Sequence, residues 1–193
     1  MTTAFATANL TGASNLTGSY SIDASHSRIG FVARHAMVTK VRGSFNDFVG
    51  SGTLDTDDVT KSTIGLTIQA ASIDTRNDDR DAHLRSNDFF DMETYPEITF
   101  RSTKVEALDD ANFRVTGDLT IKAVTQPVSV DFEFTGTAVD PYGNTRIGFE
   151  GTTTVNRKDY GVSWNAALEA GGVLVSEKVT LEFEVSAIRN ADA

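Results

Sequence analysis

The sequence predicts an all-β fold, and three stretches of alternating side chains carry that prediction. In Val128–Phe134, Phe113–Ile121 and Val179–Ser186, apolar residues occupy every second position and polar or charged residues occupy most of the positions between them. A period of two places one class of side chain on each face, as in half-buried antiparallel strands. We therefore expect an antiparallel meander closed into a barrel of about eight strands, whose interior either packs solid or holds one small ligand.

Eight segments of the chain have strand character, and turns rich in Asp or Gly separate most of them. The predicted strands are Tyr20–Ala33, Ser44–Leu54, Thr63–Ser72, Glu97–Ala107, Phe113–Ile121, Pro127–Val139, Thr145–Val155 and Val173–Ile188. Helices do not alternate with these strands, so a parallel sheet is not expected.

Other segments break the strand pattern. Asn77–Met92 is charged, begins with acidic residues and carries an apolar edge, which predicts a helix lying across one opening of the barrel. We expect His35–Val41 to be a turn or short helix, and Ala166–Gly172 to be a loop with a Gly-Gly hinge. Residues 1–18 are interpreted as a flexible polar leader, which leaves residues 19–189 as a single barrel domain.

Composition argues against several classes of function. The 193 residues carry 17 basic and 27 acidic side chains, and a net charge of −10 argues against a nucleic-acid partner. The same charge disfavours docking on an anionic membrane, and no stretch approaches the roughly 20 apolar residues of a membrane helix. The absence of cysteine excludes disulfides and thiolate chemistry. No secretory signal is visible, so we expect a cytoplasmic protein without stable membrane insertion.

The three histidines of the chain are His26, His35 and His83. On one continuous strand, the odd separation of His26 and His35 places them on opposite faces, which argues against a shared metal site. His35 shares its predicted face with apolar residues and is placed at the inner rim of the barrel. There it bonds a neighbouring loop, contacts the polar head of a ligand, or acts as a base.

Charged clusters occur in three other places. Asn156–Lys158, next to Tyr160 and Trp164, either holds a phosphate or carbonyl head beside an aromatic wall or forms a solvated turn. Asp55–Asp58 and Asp78–Asp81 lack the ligand spacing of a calcium loop and are interpreted as a solvated turn and a helix start. No motif of a serine hydrolase, zinc protease or phosphate-binding loop occurs, and no cofactor is expected.

Five segments in order along the chain carry a family resemblance. They are DASHSRIGFVARHAMVTKVRGSF, RDAHLRSNDFFDMETYPEITFRS, VTGDLTIKAVTQPVSVDFEF, TTTVNRKDYGVSW and GGVLVSEKVTLEFEVSAI. Together, over Ser19–Ile188, they resemble the YceI-like family of bacterial polyisoprenoid-binding, lipocalin-like proteins. The resemblance implies an eight-stranded lipocalin-like barrel whose tunnel holds a long amphiphile, homodimers, and no reaction. Ala123 departs from the family, in which many members have Gly, and many relatives are periplasmic.

The apolar faces of the strands supply a predicted tunnel wall. Each buried methylene contributes about 0.8 kcal/mol before ordering costs, so we expect tail length to be recognised loosely and specificity to come from the head group. The predicted wall is Phe31, Phe45, Phe48, Phe89, Phe90, Ile98, Phe100, Leu119, Phe132, Phe134, Phe149, Trp164, Leu181 and Phe183. The predicted head-group rim is His35, Asn156, Arg157 and Tyr160.

These features favour non-catalytic binding, storage or transport of a polyisoprenoid or prenyl quinone precursor. A fatty acid or fatty amide is the alternative ligand, because an apolar wall does not distinguish branched from straight tails. Two hypotheses come from other classes of function. One is an enzyme acting on such a lipid, with His35 or His83 as the base, and the other is a solid-cored interaction module.

Overall fold

The computed structural model describes Leu10 and residues 14–191 of the chain. Its one α-helix within these residues, α1, spans Asp78–Arg85. The strands are β1 (Gly18–Ile22), β2 (Arg28–His35), β3 (Thr39–Phe45), β4 (Phe48–Leu54), β5 (Thr63–Gln69), β6 (Ile73–Asp74), β7 (Glu97–Ala107), β8 (Asn112–Ile121), β9 (Val124–Val139), β10 (Thr145–Asn156) and β11 (Lys178–Arg189).

The strands form one antiparallel sheet that closes on itself through β11. One side of β11 pairs with β10, and the other side pairs with β2 and then with β1. β1 and β2 are therefore two parts of one long strand, as are β3 with β4 and β5 with β6. Counted in this way the barrel has 8 strands, which confirms the predicted fold class.

The meander gives the barrel two distinct ends. The helix end carries α1, the β2–β3 turn and the β10–β11 loop, whereas the terminal end carries the first residues of β1 and the last residues of β11. Alternation sets the inner and outer faces as predicted: Val130 and Phe134 are buried, whereas Asp131 and Glu133 of the same strand are exposed. One buried apolar cluster lies toward each end.

The segment before β1 packs against the terminal end. Residues 1–9 and 11–13 of the predicted leader lie outside the described residues, but Leu10 and Leu16 are 1% and 3% exposed. The Leu16 carbonyl accepts a 2.7 Å hydrogen bond from the Tyr20 hydroxyl, and the Leu10 N–H donates to the Asp110 carbonyl. These two leucines of the predicted leader are therefore buried against the terminal end of the barrel.

The predicted helix over Asn77–Met92 is shorter in the structure. Asn77 caps its start, and α1 ends at Arg85, after which turns continue to Thr94. Asp78, Asp79 and Asp81 lie in the first turn of α1, as predicted for a helix start. Asp81 is buried there, and its carboxylate accepts hydrogen bonds from the N–H and hydroxyl of Thr75. The helix ends because Ser86 has extended backbone angles, and Phe89 and Phe90 reach the barrel interior from the turns that follow.

The two other irregular segments also differ in detail from the sequence prediction. A 3-10 helix, Ala24–His26, interrupts the first predicted strand, so the parity argument for His26 does not hold. The segment predicted as a turn or short helix over His35–Val41 is only a turn at residues 36–38, because β3 begins at Thr39. The loop predicted over Ala166–Gly172 is present, and β11 begins only at Lys178.

The hairpin between β8 and β9 yields a test of the backbone geometry. Ile121 pairs with Val124, and the two turn residues Lys122 and Ala123 have φ of 51° and 59°. A residue with a Cβ costs roughly 1–2 kcal/mol in this left-handed region, which explains why glycine suits position 123. Ala123→Gly is expected to raise the free energy of unfolding by about 1 kcal/mol, measured by urea denaturation.

The matched control for this turn is Ala138→Gly, an exposed position within β9. Glycine in a regular strand lowers stability by roughly 0.5–1 kcal/mol. Equal losses of stability in the two variants would contradict the turn geometry.

Candidate ligand tunnel

Two adjoining cavities run along the barrel interior. The helix-side cavity has a volume of ≈ 180 Å³ and the terminal-side cavity ≈ 130 Å³. Both are bounded by Ile22, Ile64, Phe132 and Val185, which we call the neck. Each cavity alone is smaller than the roughly 300 Å³ of a typical ligand pocket, whereas the two together lie near that lower limit. The interior is therefore elongated, with a constriction in its middle.

Most of the predicted wall residues lie on these cavities. Phe149 lines the terminal-side cavity, and Phe132 lines both. Those on the helix-side cavity are Phe31, Phe45, Phe89, Phe90, Ile98, Phe100, Leu119, Phe132, Leu181 and Phe183. Contact between any of these side chains and a ligand stays a prediction.

Three predicted wall residues pack elsewhere. Phe48 is buried in the cluster near the helix end, and the Phe134 ring packs on Phe149 with centroids 5.4 Å apart. Trp164 packs against Phe89 at 5.3 Å, behind the cavity wall. These three side chains support the wall instead of forming its inner surface.

Aromatic rings lie over glycines of neighbouring strands. A Cβ built on Gly43 would collide with the ring of Phe31, and a Cβ on Gly151 would lie 2.7 Å from the Phe132 ring. The register explains both contacts, because Phe31 pairs with Gly43 and Phe132 pairs with Gly151. Because the glycines have no side chain, the rings can lie against the wall, and this arrangement leaves space along the barrel axis.

Arg157, predicted at the head-group rim, is buried and bonded to the backbone. Its Nη1 donates to the carbonyls of Val162 at 2.6 Å and Trp164 at 2.9 Å, and its Nε donates to Ser176 at 2.8 Å. A fourth bond, from Nη2, reaches the Val175 carbonyl at 3.3 Å. Burial lowers the pKa of Arg157, and this effect outweighs the opposing effect of nearby Glu177. The guanidinium therefore holds the β10–β11 loop in place.

Tyr160 lies on the helix-side cavity and is only 2% exposed. It belongs to the 3-10 helix Arg157–Tyr160, which the Asn156 side chain caps by accepting from the Lys158 N–H. The Tyr160 hydroxyl makes no hydrogen bond to any residue that the structure describes, and it retains a small accessible surface. Burial, together with nearby Asp159, raises the pKa of Tyr160 to about 12.

The predicted rim residues therefore divide into different environments. Tyr160 and Arg157 line the helix-side cavity, whereas Asn156 caps a 3-10 helix outside it. His35 is exposed at the end of β2, where its backbone forms a bridge with Val175, and it does not line either cavity.

The three histidines lie in separate places. His26 bonds Asp23 near the terminal end, and His83 bonds Asp88 at 2.7 Å. The His83 ring also meets Trp164 edge-on, with centroids 4.7 Å apart. This contact attaches the α1 segment to the β10–β11 loop. Among the described residues there is no cluster of side chains suited to a metal, and no helix long and apolar enough to cross a membrane.

Known proteins match both the sequence and the barrel. A profile of the YceI-like domain matches residues 20–187. The chain belongs to the YceI-like family. A UPF0312 protein of Staphylococcus aureus is 39% identical over 169 residues, covering 87% of this chain and 95% of the relative. A UPF0312 protein of Staphylococcus epidermidis is 40% identical over the same coverage.

Solved structures show the same YceI-like barrel. The Campylobacter jejuni YCEI protein superposes with a TM-score of 0.71 at 30% identity, covering 82% of this chain and 90% of that one. BcnA of Burkholderia cenocepacia gives 0.76 at 23% identity over 86% and 98% of the two chains. A polyisoprenoid binding domain from Saccharophagus degradans gives 0.65 at 19% identity over 89% and 98%. The last two likenesses establish the fold alone.

Sequence reasoning missed the neck and the closure of the terminal end. Ile22, Ile64 and Val185 fit the strand alternation, but the sequence does not show where opposite walls converge. Leu10 and Leu16 are large apolar residues in a polar leader, and that contrast is the signal that could have revealed their burial.

The ring-over-glycine contacts predict a selective effect on the interior. Gly43→Ala is expected to push the Phe31 ring into the helix-side cavity and to lower lipid loading per chain severalfold. Overpacking of this kind costs typically 1–3 kcal/mol, so the barrel should melt earlier but still fold. Gly65→Ala is the matched control, because its Cβ would meet nothing closer than 4.0 Å. Loading that is unchanged in Gly43→Ala would contradict an open interior.

The alternation in β9 predicts opposite effects at adjacent positions. Phe132→Glu places a carboxylate at the neck, where an unpaired charge is costly, and should abolish lipid retention or severely destabilise the barrel. Glu133→Lys changes an exposed residue that lies opposite Glu150, so the melting temperature should stay near that of the parent. Thermal melts and extracted lipid per chain compare the two variants. Similar damage in both would contradict the assignment of inner and outer faces.

Proposed function

We propose that this protein binds one long amphiphilic lipid along the barrel axis, and that the favoured ligand is a polyisoprenoid or a prenyl quinone precursor. The observation that carries the proposal is the pair of apolar cavities joined at the neck. An elongated interior matches a chain better than a compact ligand. The binding protein stores or transports this lipid without altering it.

The wall supports binding of the tail. Val128, Val130 and Leu181 are typical of its side chains, which are almost entirely apolar. Each methylene moved from water to such a surface contributes about 0.8 kcal/mol. The neck side chains must separate slightly for a tail to reach the terminal-side cavity.

The Tyr160 hydroxyl offers a hydrogen-bonding group for the polar head of the lipid. Buried tyrosine hydroxyls are normally hydrogen-bonded, so this hydroxyl is suited to a ligand atom. Because its pKa is raised to about 12, the phenol stays protonated at neutral pH and donates. It therefore fits an acceptor oxygen, such as the carbonyl of a quinone, an acid or an amide.

The same end of the tunnel disfavours a charged head inside the barrel. Arg157 is the cation on the helix-side cavity, and its hydrogen bonds go to four backbone carbonyls. Among the described residues of the cavity lining, no free cation would balance a buried phosphate, and an unpaired buried charge is costly. The head is therefore neutral, or it remains outside the barrel.

The arrangement supports binding in preference to catalysis. Tyr160 and Arg157 do not provide a base beside a nucleophile, and neither His35 nor His83, the two bases of the alternative hypothesis, lines a cavity. The Saccharophagus degradans protein with this fold is a polyisoprenoid binding domain, which agrees with a prenyl ligand. A homodimer and a cytoplasmic location stay predictions from the sequence.

Extraction tests the proposal directly. Protein purified from bacteria should release a long-chain lipid into organic solvent, at no more than one molecule per chain, and mass spectrometry would distinguish a prenyl species from a fatty acid or amide. Protein that releases no lipid and takes up none from added prenyl alcohol would contradict the proposal.

Tyr160→Phe tests the place of the head. The variant should bind a prenyl alcohol about three- to tenfold more weakly, as expected for loss of one hydrogen bond, while binding a prenyl hydrocarbon of matched length unchanged. Tyr20→Phe is the control, because the Tyr20 hydroxyl already bonds the Leu16 carbonyl. Equal changes for both ligands would remove Tyr160 from head-group recognition. Fluorescent-lipid displacement measures the affinities of the parent and of both variants for the two ligands.

A further inference from the structure

The β2–β3 hairpin concentrates positive charge in an acidic protein. No Asp or Glu occurs between Ala24 and Asn46, although the chain carries a net charge of −10. Arg34 lies directly opposite Lys40, and Arg42 follows two positions along β3 on the same face. All three are exposed, and none forms an ion pair with a described residue. Like charges placed opposite each other destabilise a sheet, so the stability of the fold does not account for this basic cluster.

The tip of this hairpin is apolar, exposed and strained. Met37 is 55% exposed and Val38 is 75% exposed. Ala36 and Met37 have φ of 50° and 61°, in a region that favours glycine or asparagine. Strain that persists in a folded protein is often associated with function. Here it presents a large, exposed apolar side chain at the turn of the hairpin.

The tip is held firmly at the helix end of the barrel. The Ala36 N–H donates to the Leu174 carbonyl at 2.7 Å, and the Ser176 N–H donates to the Arg34 carbonyl at 3.0 Å. Ala33, three residues before the tip, lines the helix-side cavity. The basic face and the apolar tip therefore lie beside one end of the tunnel.

We propose that the β2–β3 hairpin docks this protein on an anionic lipid surface. Met37 and Val38 enter the interface, while Arg34, Lys40 and Arg42 contact the anionic head groups. Apolar and basic side chains together are the combination that binds at membrane interfaces. Charges farther than about 8 Å are screened at physiological salt, so the local cations outweigh the net negative charge of the molecule.

Docking in this orientation would bring the helix end of the tunnel to the bilayer, where a lipid could be exchanged. That purpose rests on the proposed function, but the docking itself does not. Vesicle binding by lipid-free protein therefore tests the hairpin separately from lipid extraction, which tests the tunnel.

Vesicle flotation tests the hairpin. The full chain should float with vesicles of phosphatidylcholine containing about a third phosphatidylglycerol and not with phosphatidylcholine alone, and high salt should weaken binding. Arg34→Gln/Lys40→Gln/Arg42→Gln should lower the partition coefficient about a hundredfold, since each basic residue adds a similar increment at the surface. Met37→Ser/Val38→Ser should also lower it, with the salt dependence retained.

The matched control is Lys61→Gln/Arg101→Gln/Lys104→Gln, which removes the same charge from exposed positions elsewhere. It should bind like the parent. Equal losses in the two triple variants, or no binding of the parent to anionic vesicles, would overturn the proposal. A hairpin variant that changes a dimer to a monomer in sedimentation, when the parent does not bind vesicles, would instead identify a contact between two copies and also overturn it.

Discussion

Closure of the sheet along β11 directs every second side chain of the barrel toward one narrow interior. The interior of an eight-stranded barrel is narrow enough that side chains can fill it completely. This interior stays open because Phe31 and Phe132 lie against the wall, each over a glycine of the adjacent strand. The cavities, the neck and the proposed lipid site all depend on that packing. A larger residue at either glycine would move an aromatic ring into the space that a tail requires.

The two ends of the barrel are closed by different means. Apolar burial of Leu10 and Leu16 closes the terminal end. At the helix end, turns after α1 insert Phe89 and Phe90, and the Arg157 guanidinium holds the β10–β11 loop by its carbonyls. This second closure is built from loops and includes the Tyr160 hydroxyl, which has no hydrogen-bond partner in the described part of the chain. The helix end therefore combines the features needed for a lipid to enter and for its head to be recognised.

Alternation in the sequence predicted the strands well, because a half-buried strand exposes its period of two directly. β7 was predicted to the residue, and the barrel followed from the number and order of such strands. The sequence did not reveal the 3-10 helix at Ala24–His26, because a short break leaves the surrounding alternation intact. Arg157 was predicted at the rim because a charged side chain is usually exposed to solvent. Its hydrogen-bond partners are backbone carbonyls from separate parts of a loop, which only folding brings together. The basic face of Arg34, Lys40 and Arg42 was missed because net charge conceals a local excess.

The central claim is that one lipid tail occupies both cavities through the neck. A crystal structure of protein purified from bacteria, with no ligand added, tests it most directly. The account predicts one continuous tube of electron density that begins beside the Tyr160 hydroxyl, passes between Phe132 and Val185, and enters the terminal-side cavity. An interior filled by inward-turned Phe31 and Phe132 rings, with no density between the walls, would contradict it.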